Sequence, residues 1–340
     1  MSRATRETVL AQPFSVAVIP AMYNQTDVWP GSQFRQQLPQ VFDEKFDQFD
    51  LVLLTVPEPQ NHDQVLKWIE QQNFQNYAII HGTRDLAGEP PGINRMYHPY
   101  WLSHFMRQNR WETSNSNQAK YDFDCLLGAR RPHRDFVMCA MKMNNMLDKS
   151  IVTYRNVFQG DAIDHSVQMS HLRTQADMPW PYVSPNLDPA WEVADTVTNL
   201  TSFSTPWEIY RQTRYSIVCE SLAQGSTFFM TEKTMKVLWA QRVFVLFGVQ
   251  GYLQELQRQG FQTFGDIIDE SYDRIENPWE RWSAAWQAAQ RLAKMDYHSM
   301  MSVTAPRRLH NFHNLSRLPA YHMQNTNRML SSVIPEQHQD

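Results

Sequence analysis

Three cysteines in 340 residues, Cys125, Cys139 and Cys219, are too few and too scattered for a disulfide framework. The count is odd, none pair at a metal-ligand spacing, and each sits among apolar neighbours. They read as small buried hydrophobes in a reducing compartment. Long apolar runs are missing too. The longest, Leu51–Val56 and Val243–Gly248, are strand-length and far short of the roughly 20 residues of a membrane span. The opening Met1–Arg6 leads to Glu7 and Gln12 without the apolar stretch of a secretory signal, so a cytoplasmic protein with no membrane partner is expected. An excess of one charge is also lacking: 31 Lys and Arg stand against 35 Asp and Glu, a net charge of −4. No global field draws nucleic acid or an anionic membrane, although a polymer could still lie in a local basic groove. What is present, 42% hydrophobic and 19% charged residues, is the balance of a globular chain, and the length suits two α/β domains.

The first third alternates strands and helices. Phe14–Ile19, Leu51–Val56 and Tyr77–His81 are short apolar runs, closed by Pro20, by Pro57-Glu58-Pro59 and by Gly82. Between them, Gly31–Asp50 is helix-like and Asp63–Gln72 has helical spacing through Val65, Leu66, Trp68 and Ile69. Continuous apolar strands separated by helices predict a parallel sheet buried on both faces. The polar stretch Gln108–Lys120 reads as a linker, which places domain boundaries at 1–115 and 116–340. The rhythm then restarts with strand Phe123–Leu127, helix Arg134–Leu147 and strand Ser150–Tyr154. Gln159–Pro189 shows no period and reads as a long irregular stretch. A helix near Thr205–Arg211, strand Tyr215–Cys219, a helix from Thr231, strand Val243–Phe247, and helices Trp279–Lys294 and Arg307 to about Ser332 complete the pattern. The fold class is α/β, with two Rossmann-like domains facing a cleft and ligands at the carboxyl ends of the strands.

The chemistry concentrates between Tyr215 and Asp273. Glu220 stands at the carboxyl end of a strand, a loop follows, and Thr231 is a natural N-cap that leaves Glu232 and Lys233 in a helix's first turn. A helix N-terminus presents N–H groups and partial positive charge, and Lys233 adds a full one, which together suit a diphosphate. Glu220 and Glu232 could accept hydrogen bonds from ribose hydroxyls or a base edge. The same residues also fit a purely structural helix start, because a first-turn Glu complements the macrodipole.

The order Glu220-Ser221, Phe229-Met230-Thr231-Glu232-Lys233, an apolar helix, then Val243–Gly248 resembles the donor-binding signature of the α1,3-fucosyltransferase family. The likeness covers about a quarter of the chain. The family's Phe-Glu-Asn is Cys219-Glu220-Ser221 here, and its Asp-Tyr before Thr-Glu-Lys is replaced by Phe228-Phe229-Met230. The resemblance implies an inverting, metal-independent transferase of the GT-B type. It would need no cofactor beyond a nucleotide diphospho-sugar donor such as GDP-fucose, and would act on a carbohydrate or other hydroxyl acceptor. It also implies a diphosphate-binding Arg at the start of the second domain's first helix, a position matched by Arg134; Arg130 and Arg131 read as a solvated turn and His133 as a loop residue. A guanidinium there can grip a diphosphate bidentately.

Inversion needs a base for the acceptor hydroxyl. The family's base is a Glu in a Gly-Glu context beyond a first-domain strand, which points to Glu89 in Gly88-Glu89-Pro90-Pro91. Glu58 is the competitor and Asp85 a third candidate. Asp269, Glu270 and Asp273 form an acidic cluster without a His or regular ligand spacing, and no metal is expected. The aromatics of Tyr97-His98-Pro99-Tyr100-Trp101 could line an acceptor groove or simply pack a core. The alternatives are the same fold with another donor or a nucleic-acid acceptor, or a non-catalytic binding module.

Overall fold

The computed structural model describes residues 16–20, 51–56, 77–88, 95–112, 119–128, 130–154, 167–177, 182–185, 187 and 204–333. They form a mixed α/β fold that divides into two compact units, Met1–Ser103 with Arg317–Asp340, and His104–Ser316. Among the described residues no helix is long and apolar enough to cross a membrane.

In the first unit, β1 (Val16–Pro20), β2 (Leu51–Val56), β3 (Tyr77–His81) and β5 (Arg95–Tyr97) form a four-stranded sheet in the order β1-β2-β3-β5; β4 (Arg84–Asp85) is a two-residue strand between the last two. Every neighbouring pair in the sheet is parallel, with Val16 opposite Leu51, Val52 opposite Tyr77 and Ile79 opposite Arg95. Ala78, Ile79 and Ile80 are all buried, as a parallel strand with two covered faces requires. The end of the chain contributes His322, which meets the rings of Tyr97 and His98 edge-on, at 5.5 and 6.1 Å between centroids. Thr326 Oγ1 lies 3.4 Å from His98 Nδ1. Burial pulls both imidazoles down to about 4.

The second unit is built on a five-stranded, largely parallel sheet flanked by helices. Its strands are β6 (Tyr121–Leu127), β7 (Ser150–Tyr154), β8 (Tyr182–Val183), β9 (Thr213–Cys219) and β11 (Phe244–Phe247), in the order β11-β9-β6-β7-β8; β10 (Thr227–Phe228) is short. Only β8 runs antiparallel, against β7. The chain leaves β6 toward β7 and β8, then returns to the other side for β9 and β11. The order therefore reverses between β6 and β9, the place where open α/β sheets hold ligands outside their carboxyl ends.

The helices are α1 (Tyr100–Gln108), α2 (Pro132–Met143), α3 (Val167–Ala176), α4 (Trp207–Gln212), α5 (Glu232–Trp239), α6 (Tyr252–Arg258), α7 (Pro278–Leu292) and α8 (Tyr297–Val333). Helix α3 and strand β8 occupy part of the stretch expected to be irregular. Val167, Met169 and Leu172 are too sparse an apolar set to mark a helix in the sequence. Helix α7 opens on Asn277, whose side chain accepts from the amides of Trp279 and Glu280, with Pro278 in the first turn. Its Trp279 and Trp282 pack on Phe136 of α2, at 5.3 and 6.0 Å between centroids. Helix α8 begins ten residues before the expected Arg307. Asp296 accepts from the Ser299 amide at 2.8 Å and starts it, and the helix runs on through Pro306, which has no N–H to contribute to it.

A buried ion pair holds the middle of this sheet. Arg242, between α5 and β11, donates to Asp124 of β6 at 2.9 Å, to Ser216 Oγ and Thr213 Oγ1 of β9, and to the carbonyls of Tyr210 and Thr213. Burial raises the Asp124 carboxyl above its usual range, against the pull of Arg242 and the two hydroxyls. A buried charge persists only when its hydrogen-bonding capacity is met in this way.

Candidate functional site

The site grows out of β9. Glu220 follows its last residue and is fully buried. A lone buried carboxylate would cost several kcal/mol, so the fold surrounds it with donors. Oε2 accepts from the Ser221 amide at 3.1 Å and the Thr231 hydroxyl at 2.5 Å. Oε1 accepts from the Thr231 amide at 3.3 Å, Thr234 Oγ1 at 2.6 Å and Tyr252 OH at 2.9 Å. Glu220 thus gathers the first turns of α5 and α6 onto the carboxyl end of the strand. Gly248, just past β11, permits this: a Cβ there would lie 2.8 Å from Leu246 Cδ2 and 3.0 Å from the Tyr252 ring.

Thr231 is the N-cap of α5. It is extended at φ −99°, ψ 178°, and its side chain accepts from the Lys233 amide at 3.3 Å while donating to Glu220. Glu232 and Lys233 stand in the first turn, partly exposed, with Lys233 Nζ 2.6 Å from Glu232 Oε1. Burial alone would raise the Glu232 carboxyl, but Lys233 and Lys236 outweigh it and the net direction is downward.

Across the strand-order reversal, α2 follows β6 and Gly128. Its second and third residues, His133 and Arg134, are buried. His133 Nε2 lies 2.8 Å from the carbonyl of Glu220. Because that acceptor is a carbonyl, Nε2 carries the proton. Burial, reinforced by the nearby Arg134, holds the imidazole well below its usual range, so the ring is neutral at neutral pH. Arg134 donates through Nη2 to the carbonyls of Glu220 at 3.3 Å and Cys219 at 3.5 Å. The carboxyl end of β9 is therefore gripped from α2 through its carbonyls and from α5 and α6 through the Glu220 side chain. The N-termini of α2 and α5 meet at the carboxyl edge of the sheet, and Arg131, Arg134 and Lys233 all lie within electrostatic reach of His133.

Arg130 and His133 differ from their expected roles. Arg130 is not a solvated turn residue: it donates to the buried carboxylate of Asp135 at 3.0 and 3.4 Å. Arg173 of α3 and the Tyr154 hydroxyl reach the same carboxylate. His133 is a buried helix residue and not a loop histidine. Its only sequence signal was the run Arg130-Arg131-Pro132-His133-Arg134 at a strand-to-helix turn.

The acidic cluster is dispersed among separate tasks. Asp273 accepts from the amides of Leu253 and Gln254 and so caps α6 from a distance. Glu270 accepts from the Phe264 amide, and Asp269 from the Ser271 amide and Arg291. The chain also contains an Asp-x-Asp tripeptide, Asp122-Phe123-Asp124. It lies within β6, where Asp124 faces Arg242 and Asp122 pairs with Arg214 at 3.2 Å. No group of three or more His, Cys, Asp or Glu among the described residues is arranged to hold a metal ion.

Of the candidate bases, Glu58 and Glu89 lie outside the described residues. Asp85 is exposed, and its Oδ1 accepts from the Ala87 amide at 3.0 Å in its own turn. Among the aromatics expected near an acceptor, Tyr97 and His98 pack on His322 within the first unit. Compared with known proteins, the chain matches no family model and no curated protein.

Proposed function

We propose that this protein is an inverting, metal-independent glycosyltransferase of the GT-B type, with Rossmann-like domains over residues 1–115 and 116–340. The second domain would seat a nucleotide diphospho-sugar and the first would present the acceptor hydroxyl. One observation carries the reading. Two helix N-termini converge where the strand order reverses, with Arg131, Arg134 and Lys233 around them. Backbone donors, helix dipoles and fixed cations in one place are what a diphosphate needs.

The geometry supports the following roles. Lys233, partly exposed, contacts the diphosphate. Arg134 is held inside by two carbonyls and supplies a fixed positive charge rather than a grip. Glu220 and Thr231 shape the seat. Glu232, on the accessible side of α5, is the carboxylate placed to meet the nucleoside. The acceptor oxygen loses its proton to a first-domain carboxylate, Glu89 or Glu58, and bonds to the anomeric carbon. The bond from that carbon to the diphosphate breaks, and the diphosphate leaves with the electron pair and is stabilised by the cations. GDP-fucose is the donor to try first, because the Thr231-Glu232-Lys233 segment resembles that of the α1,3-fucosyltransferases.

Isothermal titration against a panel of nucleoside diphosphates, followed by a donor hydrolysis assay, tests the proposal. Binding with slow release of free sugar supports it. Binding with neither hydrolysis nor transfer favours a non-catalytic module, and no binding to any nucleotide removes the enzyme reading.

A further inference from the structure

Helix α5 opens with a cation where its own dipole disfavours one. The first turn carries partial positive charge, which suits Glu232 and opposes Lys233. The pair is also unusual in geometry. Neighbouring residues on a helix project roughly 100° apart and do not ordinarily face each other. Here Lys233 Nζ lies 2.6 Å from Glu232 Oε1, so both side chains turn toward each other, and they keep 21% and 17% of their surface exposed. The lysines beside it hold the Glu232 carboxyl below its ordinary range, so it is charged at neutral pH. The ammonium proposed to meet a phosphate thus already holds an anion of the protein's own.

We propose that this contact is a latch that makes Glu232 a specificity-determining residue, selecting nucleoside diphosphates over free pyrophosphate. The inference rests on the reading of the site as a diphosphate seat. A phosphate that takes Lys233 must separate it from Glu232, and it then lies close to a carboxylate that has lost its partner. Pyrophosphate concentrates its charge and repels that carboxylate. A nucleoside diphosphate carries ribose hydroxyls, which donate to it. Opening the latch is therefore offset for a nucleotide and opposed for an inorganic anion. The same contact accounts for a lysine at the positive end of a helix, since the carboxylate one residue earlier neutralises it.

The test uses the full chain with GDP and with inorganic pyrophosphate as probes, by isothermal titration near pH 7. E232Q keeps the side-chain length and removes the charge. It should tighten pyrophosphate binding roughly fivefold, the upper end for a partly exposed ion pair, while GDP binds no more than about twofold tighter than to the parent. The preference for GDP over pyrophosphate should fall accordingly, a change of ratio that a purely structural glutamate would not produce. In the K233A background the same substitution should tighten pyrophosphate binding less than about twofold, because the latch has lost its other half. Far-UV circular dichroism identifies any variant that has not folded, and E232A gives a second reading if E232Q is unfolded. An unchanged ratio in E232Q would overturn the latch. So would a gain for pyrophosphate that persists in full without Lys233, which would make Glu232 a plain repulsive charge. If the parent binds neither probe, the diphosphate reading fails and takes the latch with it. If the parent binds GDP and only the Glu232 results disagree, the latch alone is lost.

Discussion

Removing the Glu220 side chain should unfasten the candidate site and destabilise the second unit together. Five donors converge on this carboxylate, two amides and three hydroxyls, from the loop after β9, from α5 and from α6. A hydrogen bond to a charged group is worth about 1.5–3 kcal/mol net, so a plain sum would reach roughly 8–15 kcal/mol. That is as large as the whole stability of a typical domain and cannot be the real loss. Two effects reduce it. The carboxylate itself paid a desolvation cost that Ala would not. The freed hydroxyls can also regroup, since Thr234 Oγ1 and Tyr252 OH are already 3.2 Å apart. The Ser221 and Thr231 amides have no such freedom. We expect Glu220→Ala to cost about 3–5 kcal/mol, the usual consequence of removing one side of a buried charged network. Glu220→Gln should cost about 1–3 kcal/mol, because whichever way the amide turns, its NH2 meets groups that donate. Urea denaturation followed by tryptophan fluorescence reads both, since Trp239, Trp282 and Trp286 are buried in this unit. An alanine variant less than about 1 kcal/mol below the parent would refute the reasoning and make Glu220 a peripheral residue.

Lys233→Ala should weaken nucleoside diphosphate binding by about 1.5–3 kcal/mol while leaving the urea midpoint nearly unchanged, because the side chain is partly exposed; unchanged affinity by titration calorimetry would remove its phosphate role. The first unit should weaken in acid. His98 and His322 are held down to about 4 when folded, against 6.5 when unfolded. Their contribution is intact above 6.5 and is lost as pH falls toward 4, because the unfolded chain takes up the protons first. The urea midpoint should drop by an amount worth a few kcal/mol between pH 7 and pH 4.5, and by less in His322→Phe; equal slopes for parent and variant would contradict this. Sugar transfer, once an acceptor is in hand, should survive excess EDTA. A loss restored by Mn²⁺ would reopen Asp269, Glu270, Asp273 and the Asp122–Asp124 pair as ligands.

The strands were the legible part of the fold. Leu51–Val56, Tyr77–His81 and Ser150–Tyr154 are bounded in the structure as their apolar runs predict; the last two are almost wholly buried, and a strand covered on both faces leaves an uninterrupted apolar mark. Thr231 was readable as an N-cap for a local reason, a hydroxyl just before an apolar helical face. Helix α3 was invisible because it has no continuous apolar stripe. The early start of α8 was hidden by Pro306, which looks like a first-turn residue but sits inside the helix. In the candidate site, the placement of Glu232 and Lys233 behind the Thr231 cap is local and legible in the sequence, but what Glu220 and His133 touch is not. Glu220 accepts from Tyr252, 32 positions away, and His133 reaches Glu220 across 87. Such contacts follow from strand order, which periodicity does not encode.

The pairing of β6 with β9 joins chain segments about ninety residues apart, with Phe123 opposite Tyr215. During synthesis β6 and α2 emerge long before their partners, and domains tend to fold from the N-terminal end as the chain grows. Until β9 arrives, His133 has no carbonyl to hold. Until Tyr252 follows, the Glu220 carboxylate lacks one of its donors. The proposed diphosphate seat is therefore incomplete until these contacts form. It is completed by the docking of β9 and the two helices that follow it. A ligand that binds there recognises only finished protein, and by mass action each bound molecule draws the last step of assembly to completion. If the proposed diphosphate seat is right, nascent chains lacking residues beyond β9 would not capture nucleotide.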